Sequence, residues 1–139
     1  MILFDTDTLT HFSYGNLNLL RRLEATGDES LAISLITHYE MSRGRAESLL
    51  KAANETELRR AAERFRQTEE MLADFLRVGF DDSAIEHFGR LRKQKNLKKM
   101  GRADLLIACI ALANDALLVT RNLKDYKNVA GLRVANWVD

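Results

Sequence analysis

The sequence has 139 residues and lacks several features that mark other classes of protein. It contains no proline and no internal repeat, so nothing marks a linker, and we expect one domain over residues 1–139. The single cysteine, Cys109, cannot form an intrachain disulfide, which predicts a small core hydrophobe in a cytoplasmic protein. Apolar runs are too short to span a bilayer, and a strand beginning at Met1 leaves no room for a signal peptide. We therefore expect no membrane partner.

Several catalytic arrangements are also missing. The three histidines, His11, His38 and His87, do not have the spacing of metal ligands. No serine, cysteine and histidine pattern indicates a nucleophile, and no glycine-rich loop indicates phosphate binding. Acidic side chains remain as the candidates for chemistry.

The charge is balanced overall but not evenly distributed. A formal net charge of +1 indicates no class of partner. Seven basic residues nevertheless crowd into thirteen positions: Arg90, Arg92, Lys93, Lys95, Lys98, Lys99 and Arg102. Such a segment could hold a polyanionic backbone, and the alternative is a solvated helix face.

Short apolar runs alternate with segments of helical periodicity. The runs predict strands at Ile2–Phe4, Leu31–Ile36, Val78–Phe80 and Leu117–Thr120, with a last, peripheral strand within Val129–Val138. Between them we expect helices around Leu9 and Phe12, after a cap at Asn16, from Thr37, from Glu57 to Leu76, and from Ala84 into the lysine-rich segment. This alternation predicts an α/β domain with a central, mainly parallel sheet.

One predicted helix, over residues 103–114, is apolar almost all round and must be buried on several sides. Asp104 stands at its beginning. An unpaired carboxylate in such a place is costly, so its presence needs a reason. The structural alternative is a first-turn aspartate that satisfies free amides and the positive end of the helix dipole.

Acidic and amide residues follow the predicted strands. Asp5 and Asp7 come after the first strand, Glu40 lies just beyond the second, and Asn122 and Asp125 follow the strand that ends at Thr120. Because the crevice of a parallel sheet lies at the carboxyl ends of its strands, we expect these residues and Asp104 to converge. Each also has a local explanation: Asp5 and Asp7 could cap a helix, and Thr37 with Glu40 fits a capping box.

Converging carboxylates have a definite chemistry. They repel one another, and their pKa values rise unless a cation joins them. Oxygen ligands without histidine or cysteine select Mg²⁺ or Mn²⁺. Such a site can activate a water and neutralise charge on a phosphodiester.

Four segments of the chain begin at Ile2, Ser34, Gly101 and Val119 and have the sequences ILFDTD, SLITHYE, GRADLLIA and VTRNLKDY. In this order they resemble the PIN-domain nucleases, and most of all the VapC-type toxins of toxin–antitoxin pairs. The ending GLRVANW also looks like theirs. The resemblance implies a PIN-like three-layer α/β/α domain, a Mg²⁺-dependent endoribonuclease activity, and metal ligands at Asp5, Glu40 and Asp104.

The resemblance also leaves one position open. The family often has a fourth acid where this chain has Asn122, so Asp125 or Asp7 are the nearest substitutes. An RNA substrate makes the basic residues candidate contacts: Lys93, Lys95, Lys98, Lys99 and Arg102. Proteins of this kind usually pair with a small antitoxin and commonly form homodimers.

Two other functions compete with this one. Asp5-Thr-Asp7-Thr also resembles the start of haloacid dehalogenase-type phosphatases, in which the first aspartate accepts a phosphoryl group. That pattern departs at Leu9, and the late paired-acid motif is missing. The other alternative is a non-catalytic RNA- or partner-binding PIN-like domain.

Overall fold

The centre of the fold is a five-stranded sheet in the order β3-β2-β1-β4-β5, in which every neighbouring pair is parallel. The computed structural model describes all residues from Met1 to Asp139. The strands are β1 Ile2–Phe4, β2 Leu31–Ser34, β3 Leu76–Val78, β4 Leu117–Val119 and β5 Arg133–Ala135. The predicted parallel α/β sheet is confirmed, and its last strand lies at the edge as expected.

Helices cover both faces of the sheet. They are α1 Thr6–Ser13, α2 Leu17–Thr26, α3 Leu35–Lys51, α4 Glu55–Leu72, α5 Asp82–Leu91, α6 Arg102–Ala113 and α7 Leu123–Tyr126, with a short 3-10 turn at Lys95–Leu97. None of them is both long enough and apolar enough to cross a membrane.

Two apolar cores lie on opposite faces of the sheet because successive strand residues point to opposite sides. Leu3 and Leu118 face a core shared with α5 and α6. Phe4 and Val119 face the other core, shared with α1, α2 and α4. These cores make the α/β/α arrangement of three layers that the resemblance implied.

Helix α6 is the buried helix that the sequence predicts, displaced by one residue from 103–114. Its side chains from Leu105 to Ala111 are almost all buried. Cys109 is among them, fully enclosed, and burial raises the pKa of its thiol to about 11. The expectation of a core cysteine is confirmed.

The junction between β2 and α3 differs from the prediction. Strand β2 ends at Ser34 rather than Ile36, and the Ser34 hydroxyl accepts a hydrogen bond from the Thr37 amide at 3.0 Å. Ser34 is therefore the N-cap, and Thr37 is already inside the first turn. The capping box from Thr37 to Glu40, which was the structural alternative for Glu40, is wrong, so helix capping does not explain this residue.

The long amphipathic helix also ends earlier than predicted. It stops at Leu72, and Leu76–Val78 forms β3, so the strand predicted at Val78–Phe80 begins two residues sooner. Phe75 turns into the core, where its ring lies 5.8 Å from Phe4 and 5.5 Å from Phe12. Because the Phe75 ring is anchored in the core, the residues that follow it lie beside β2. Their backbone groups form hydrogen bonds with those of β2. Likewise α5 ends at Leu91, before the lysine-rich segment.

The strand order places a crevice at one point of the sheet. The chain runs outward from β1 to β2 and β3, then crosses to β4 on the other side of β1. Ligands of open parallel sheets bind at the carboxyl ends of the strands, where the order reverses in this way. In this protein that point lies beyond Phe4 and Val119.

Candidate active site

Asp5 occupies the crevice directly after β1. It is the N-cap of α1, and its Oδ1 accepts a hydrogen bond from the Thr8 amide at 2.8 Å. The Thr8 hydroxyl donates to the Val119 carbonyl at 2.9 Å, which ties α1 to the end of β4. Only 8% of Asp5 is exposed, so the sheet and the helix together fix its carboxylate.

Glu40 reaches the same crevice from α3. Its Oε1 accepts a hydrogen bond from the Thr6 hydroxyl at 2.8 Å. Because Thr6 follows Asp5 in the chain, this contact places Glu40 against the first turn of α1. The side chain is otherwise exposed to solvent.

Asp104 comes from the first turn of α6 and is half-buried. Its Oδ1 accepts a hydrogen bond from the buried Tyr126 hydroxyl at 3.1 Å, and it caps no backbone amide. Burial raises the pKa of the Asp104 carboxyl, and the negative charges of Asp125, Asp5 and Glu40 raise it further, against a lowering effect of the Tyr126 hydrogen bond. The charges of these three acids therefore all act on the Asp104 carboxyl.

Asn122 and Asp125 lie together on the β4 side. The Asn122 side-chain amide donates to Asp125 Oδ2 at 2.7 Å, and the Asn122 backbone amide donates to the Thr120 hydroxyl at 2.9 Å. Asp125 stands in α7, one residue before Tyr126. This link fixes the exposed Asp125 carboxylate at the end of β4.

Asp7 is engaged elsewhere. It forms ion pairs with Arg121 at 3.6 Å and with His11 at 3.7 Å, and Arg121 also contacts Asp139 at 3.3 Å. A depression of about 380 Å³ is lined by Asp5, Asp7, Arg121, Asn122 and Asp139. Of the two substitutes for a fourth acid, Asp125 contributes to the raised pKa of Asp104, whereas Asp7 is paired with a cation.

The donor atoms fit a hard cation. Asp5, Glu40 and Asp104 each use one carboxylate oxygen in a hydrogen bond, and the other oxygen makes none within the chain. These free oxygens are the ligand type that Mg²⁺ and Mn²⁺ take. As they stand, no three acidic, histidine or cysteine side chains form a group that could hold a metal ion, so a shared site for Asp5, Glu40 and Asp104 stays a prediction.

The predicted basic contacts separate into two groups. Lys95, Lys98 and Lys99 line a cleft of about 620 Å³ together with Lys124 and Lys127 from the segment after β4. We call these five lysines and the space between them the basic cleft. Lys93 does not line it, and the Arg102 guanidinium lies over the Phe88 ring, 5.2 Å from its centre.

Sequence reasoning missed four features of this region. Thr6 and Tyr126 hold the carboxylates of Glu40 and Asp104, while Arg121 pairs with Asp7, and Lys124 and Lys127 complete the basic cleft. Thr6 and Tyr126 are sequence neighbours of Asp5 and Asp125. Their position next to these acids in the sequence is the signal that could have identified them.

The Tyr126 hydroxyl gives the first testable prediction. Tyr126→Phe removes the only hydrogen-bond partner of Asp104 within the chain, so we expect a loss of stability of about 1 kcal/mol. If Asp104 binds metal, the variant should also need more Mg²⁺ for half-maximal activity, by about 10-fold, because supporting contacts orient metal ligands. Chemical denaturation and a Mg²⁺ titration of activity measure both. An unchanged Mg²⁺ requirement would contradict an orienting role.

Comparisons with known proteins agree with this fold. The PIN domain family model matches residues 2–132. Ribonuclease VapC2 of Rickettsia felis is 31% identical over 126 residues, which is 89% of this chain and 83% of the relative. A solved structure of VapBC2 from Rickettsia felis, bound to a DNA fragment from the promoter, matches at 26% identity with a TM-score of 0.72 and covers 99% of both chains. A DNA-bound VapBC from Salmonella typhimurium has the same fold, with a TM-score of 0.77 at 22% identity over 99% of both chains.

Proposed function

Since this chain belongs to the PIN domain family, we propose that it is a Mg²⁺-dependent endoribonuclease and the toxin of a VapBC-type toxin–antitoxin pair. One observation carries the proposal. The half-buried Asp104 carboxylate lies beside the charges of Asp5, Glu40 and Asp125 at the switch point of the sheet. Uncompensated acids in that position are destabilising, which supports a bound cation as their purpose.

Some of these residues would bind the ion, and another would accept a proton. Asp5, Glu40 and Asp104 would hold Mg²⁺, with Mn²⁺ as a substitute. When bound, the ion lowers the pKa of water and neutralises charge on the phosphodiester. Thr6 and Tyr126 orient two of the ligands. Asp125, which Asn122 holds by a hydrogen bond, would accept a proton from the attacking water.

The partners follow from the same proposal. The named relatives include a ribonuclease, and the solved neighbours are VapBC assemblies, which supports an RNA substrate and a small antitoxin for this chain. Large apolar side chains exposed at Tyr14, Leu17 and Leu50 are available to a protein partner. We also propose a homodimer, for which light scattering of the purified chain is the test.

Cleavage of RNA by the purified chain tests the activity. We expect single-stranded RNA to be cut in Mg²⁺ and to remain intact in EDTA. Glu40→Gln should be inactive, whereas Glu69→Gln makes the same chemical change on exposed α4 and should keep full activity. Because both variants share one purification, this pair excludes a contaminating nuclease.

The same assay separates the alternatives. An intact substrate in Mg²⁺ and Mn²⁺, with RNA still bound, would favour the non-catalytic domain. Release of phosphate from a phosphate monoester, with RNA left intact, would favour the phosphatase.

A further inference from the structure

A second cavity lies away from the candidate active site. Its lining comes from the end of α1, the middle of α3 and the second half of α4, and it shares no residue with the depression that contains Asp5. Tyr14, which lines it, stands eight residues beyond the first residue of α1, about 12 Å along the helix from the crevice. The cavity volume of about 370 Å³ is within the range of small-molecule sites.

Two arginines line this cavity without an acidic partner. Arg45 and Arg64 form no ion pair within the chain. Arg43 and Arg66, each two residues away on the same helices, do pair with glutamates. No acidic residue lines the cavity. Two positive charges that the protein does not neutralise therefore border the same space.

Neutral hydroxyl groups hold both guanidinium groups. Arg45 Nε donates to the Thr68 hydroxyl at 2.9 Å, and Arg64 Nη2 donates to the Tyr14 hydroxyl at 3.4 Å. Arg45 keeps both of its terminal amino groups for another acceptor, and Arg64 keeps Nε and one terminal amino group. Thr68 is only 6% exposed, and its hydroxyl hydrogen has no acceptor within the chain. The cavity thus offers several hydrogen-bond donors that lack a partner.

The charge and the donors suit a phosphate monoester. Such a group carries a charge of about −1.5 to −2 at neutral pH and has three oxygens that accept hydrogen bonds strongly. Two guanidinium groups match that charge, and arginine binds phosphate through two parallel hydrogen bonds. A carboxylate would neutralise only one of the two arginines.

The remaining lining suits an apolar ester group. Phe12, Met71 and the ring of Tyr14 line the cavity beside the arginines. Burial of an apolar group against these side chains contributes to affinity. Ser13 and Gln67 complete the lining; both are neutral, and both already donate hydrogen bonds within their own helices.

We propose that this cavity binds a small phosphate monoester. The phosphate lies between Arg45 and Arg64, and the apolar group of the ester lies against Phe12 and Met71. The site is separate from the acids of the crevice, so the inference goes beyond the proposed nuclease function and does not rest on it.

Calorimetric titration with phenyl phosphate tests the inference, in metal-free buffer that contains no other polyvalent anion. Arg64→Gln removes one charge, and the fold should be kept because Arg64 is exposed and makes a single long hydrogen bond. Arg45→Gln removes the other charge. Arg59→Gln is the matched control, since Arg59 is exposed on the same helix as Arg64 and does not line the cavity. Lys124→Gln/Lys127→Gln tests the basic cleft as a competing anion site.

We expect Arg45→Gln and Arg64→Gln each to weaken phenyl phosphate binding by about 10-fold or more, the effect of losing hydrogen bonds between charged groups. The Arg59 and lysine variants should bind as the wild type does. Inorganic phosphate should bind the wild type about 10-fold more weakly, because it has no group to cover the apolar lining. In ¹⁵N NMR spectra of the wild type, phenyl phosphate should shift the amide signals of Ser13 and Thr68.

Four results would overturn the inference. The first is that the wild type shows no saturable binding of phenyl phosphate at millimolar concentrations. Equal weakening in Arg59→Gln would mean that the positive charge of α4 as a whole attracts the anion, and weakening only in the lysine variant would place the anion in the basic cleft. If benzoate bound as tightly as phenyl phosphate, a single negative charge would suffice and the assignment to phosphate would be wrong. None of these measurements reads RNA cleavage, so each result leaves the proposed nuclease function to its own test.

Discussion

Asp104→Asn should lose ribonuclease activity by about 1,000-fold while the metal-free protein becomes more stable. Loss of a charged ligand removes several kcal/mol of transition-state stabilisation, which corresponds to a factor of that order. Asparagine keeps the shape and can still accept the Tyr126 hydrogen bond, so packing is preserved. Removal of one repelling charge should stabilise the fold by about 0.5–1 kcal/mol, after allowance for solvent screening.

The pH dependence of this gain gives the prediction a definite sign. The pKa of Asp104 is raised in the folded protein, so ionising this carboxyl favours the unfolded state. The protonated Asp104 carboxyl favours the folded state. Its contribution to the free energy of unfolding is therefore present in full below the ordinary carboxyl pKa, and it is lost as pH rises through the raised value. The gain in Asp104→Asn should therefore be full near neutral pH and shrink as pH falls.

Denaturation in EDTA at several pH values, run beside the RNA-cleavage assay, measures both effects. Asp74→Asn is the matched control, since the same change is made on an exposed turn. A variant of Asp104 that is destabilised and fully active would show that the residue only supports the helix terminus.

Two substitutions of Asp5 should separate its structural role in α1 from its chemical role. Asp5→Ala removes the cap of α1 and is expected to destabilise the protein by about 1–2 kcal/mol. Asp5→Asn keeps a side-chain oxygen for the Thr8 amide, and asparagine caps helices as well as aspartate does. Both variants should lose RNA cleavage by about 1,000-fold if Asp5 is a metal ligand.

Thermal or chemical denaturation of the two Asp5 variants, with cleavage assays on the same preparations, distinguishes these roles. Full activity in Asp5→Asn would leave Asp5 as a helix cap alone. Equal destabilisation of both variants would instead mean that the negative charge itself supports α1.

The placement of the acids was predictable because it depends on a few robust patterns. Buried parallel strands appear in the sequence as short apolar runs, and the carboxyl ends of such strands share one edge. The residues that follow Phe4 and Val119 are therefore neighbours. Because α6 is almost entirely apolar, a carboxylate in its first turn pointed to a functional role for Asp104. The structure brings Asp5, Glu40 and Asp104 into one region, while their binding of metal stays a prediction.

Other features depend on contacts between distant segments, which local patterns do not contain. A serine and a threonine three residues apart both cap helices well, and only the hydrogen bond from the Thr37 amide to the Ser34 hydroxyl shows that Ser34 is the cap. Helix α7 is four residues long and has too little periodicity to be detected. Lys124 and Lys127 belong to a basic surface only because the fold brings them together with Lys95, Lys98 and Lys99.

The direct junction of β2 with α3 fixes how this chain can change in length. Ser34 ends the strand and caps the helix, so no loop residue separates the sheet from Glu40. One residue inserted between them would turn Glu40 by about 100° around the helix axis and move it about 1.5 Å along it, away from Thr6. The connection at Ala52–Asn54 carries no candidate ligand and can absorb such insertions. The number of residues between β2 and Glu40 therefore cannot change without moving Glu40, whereas the connection after α3 can vary in length.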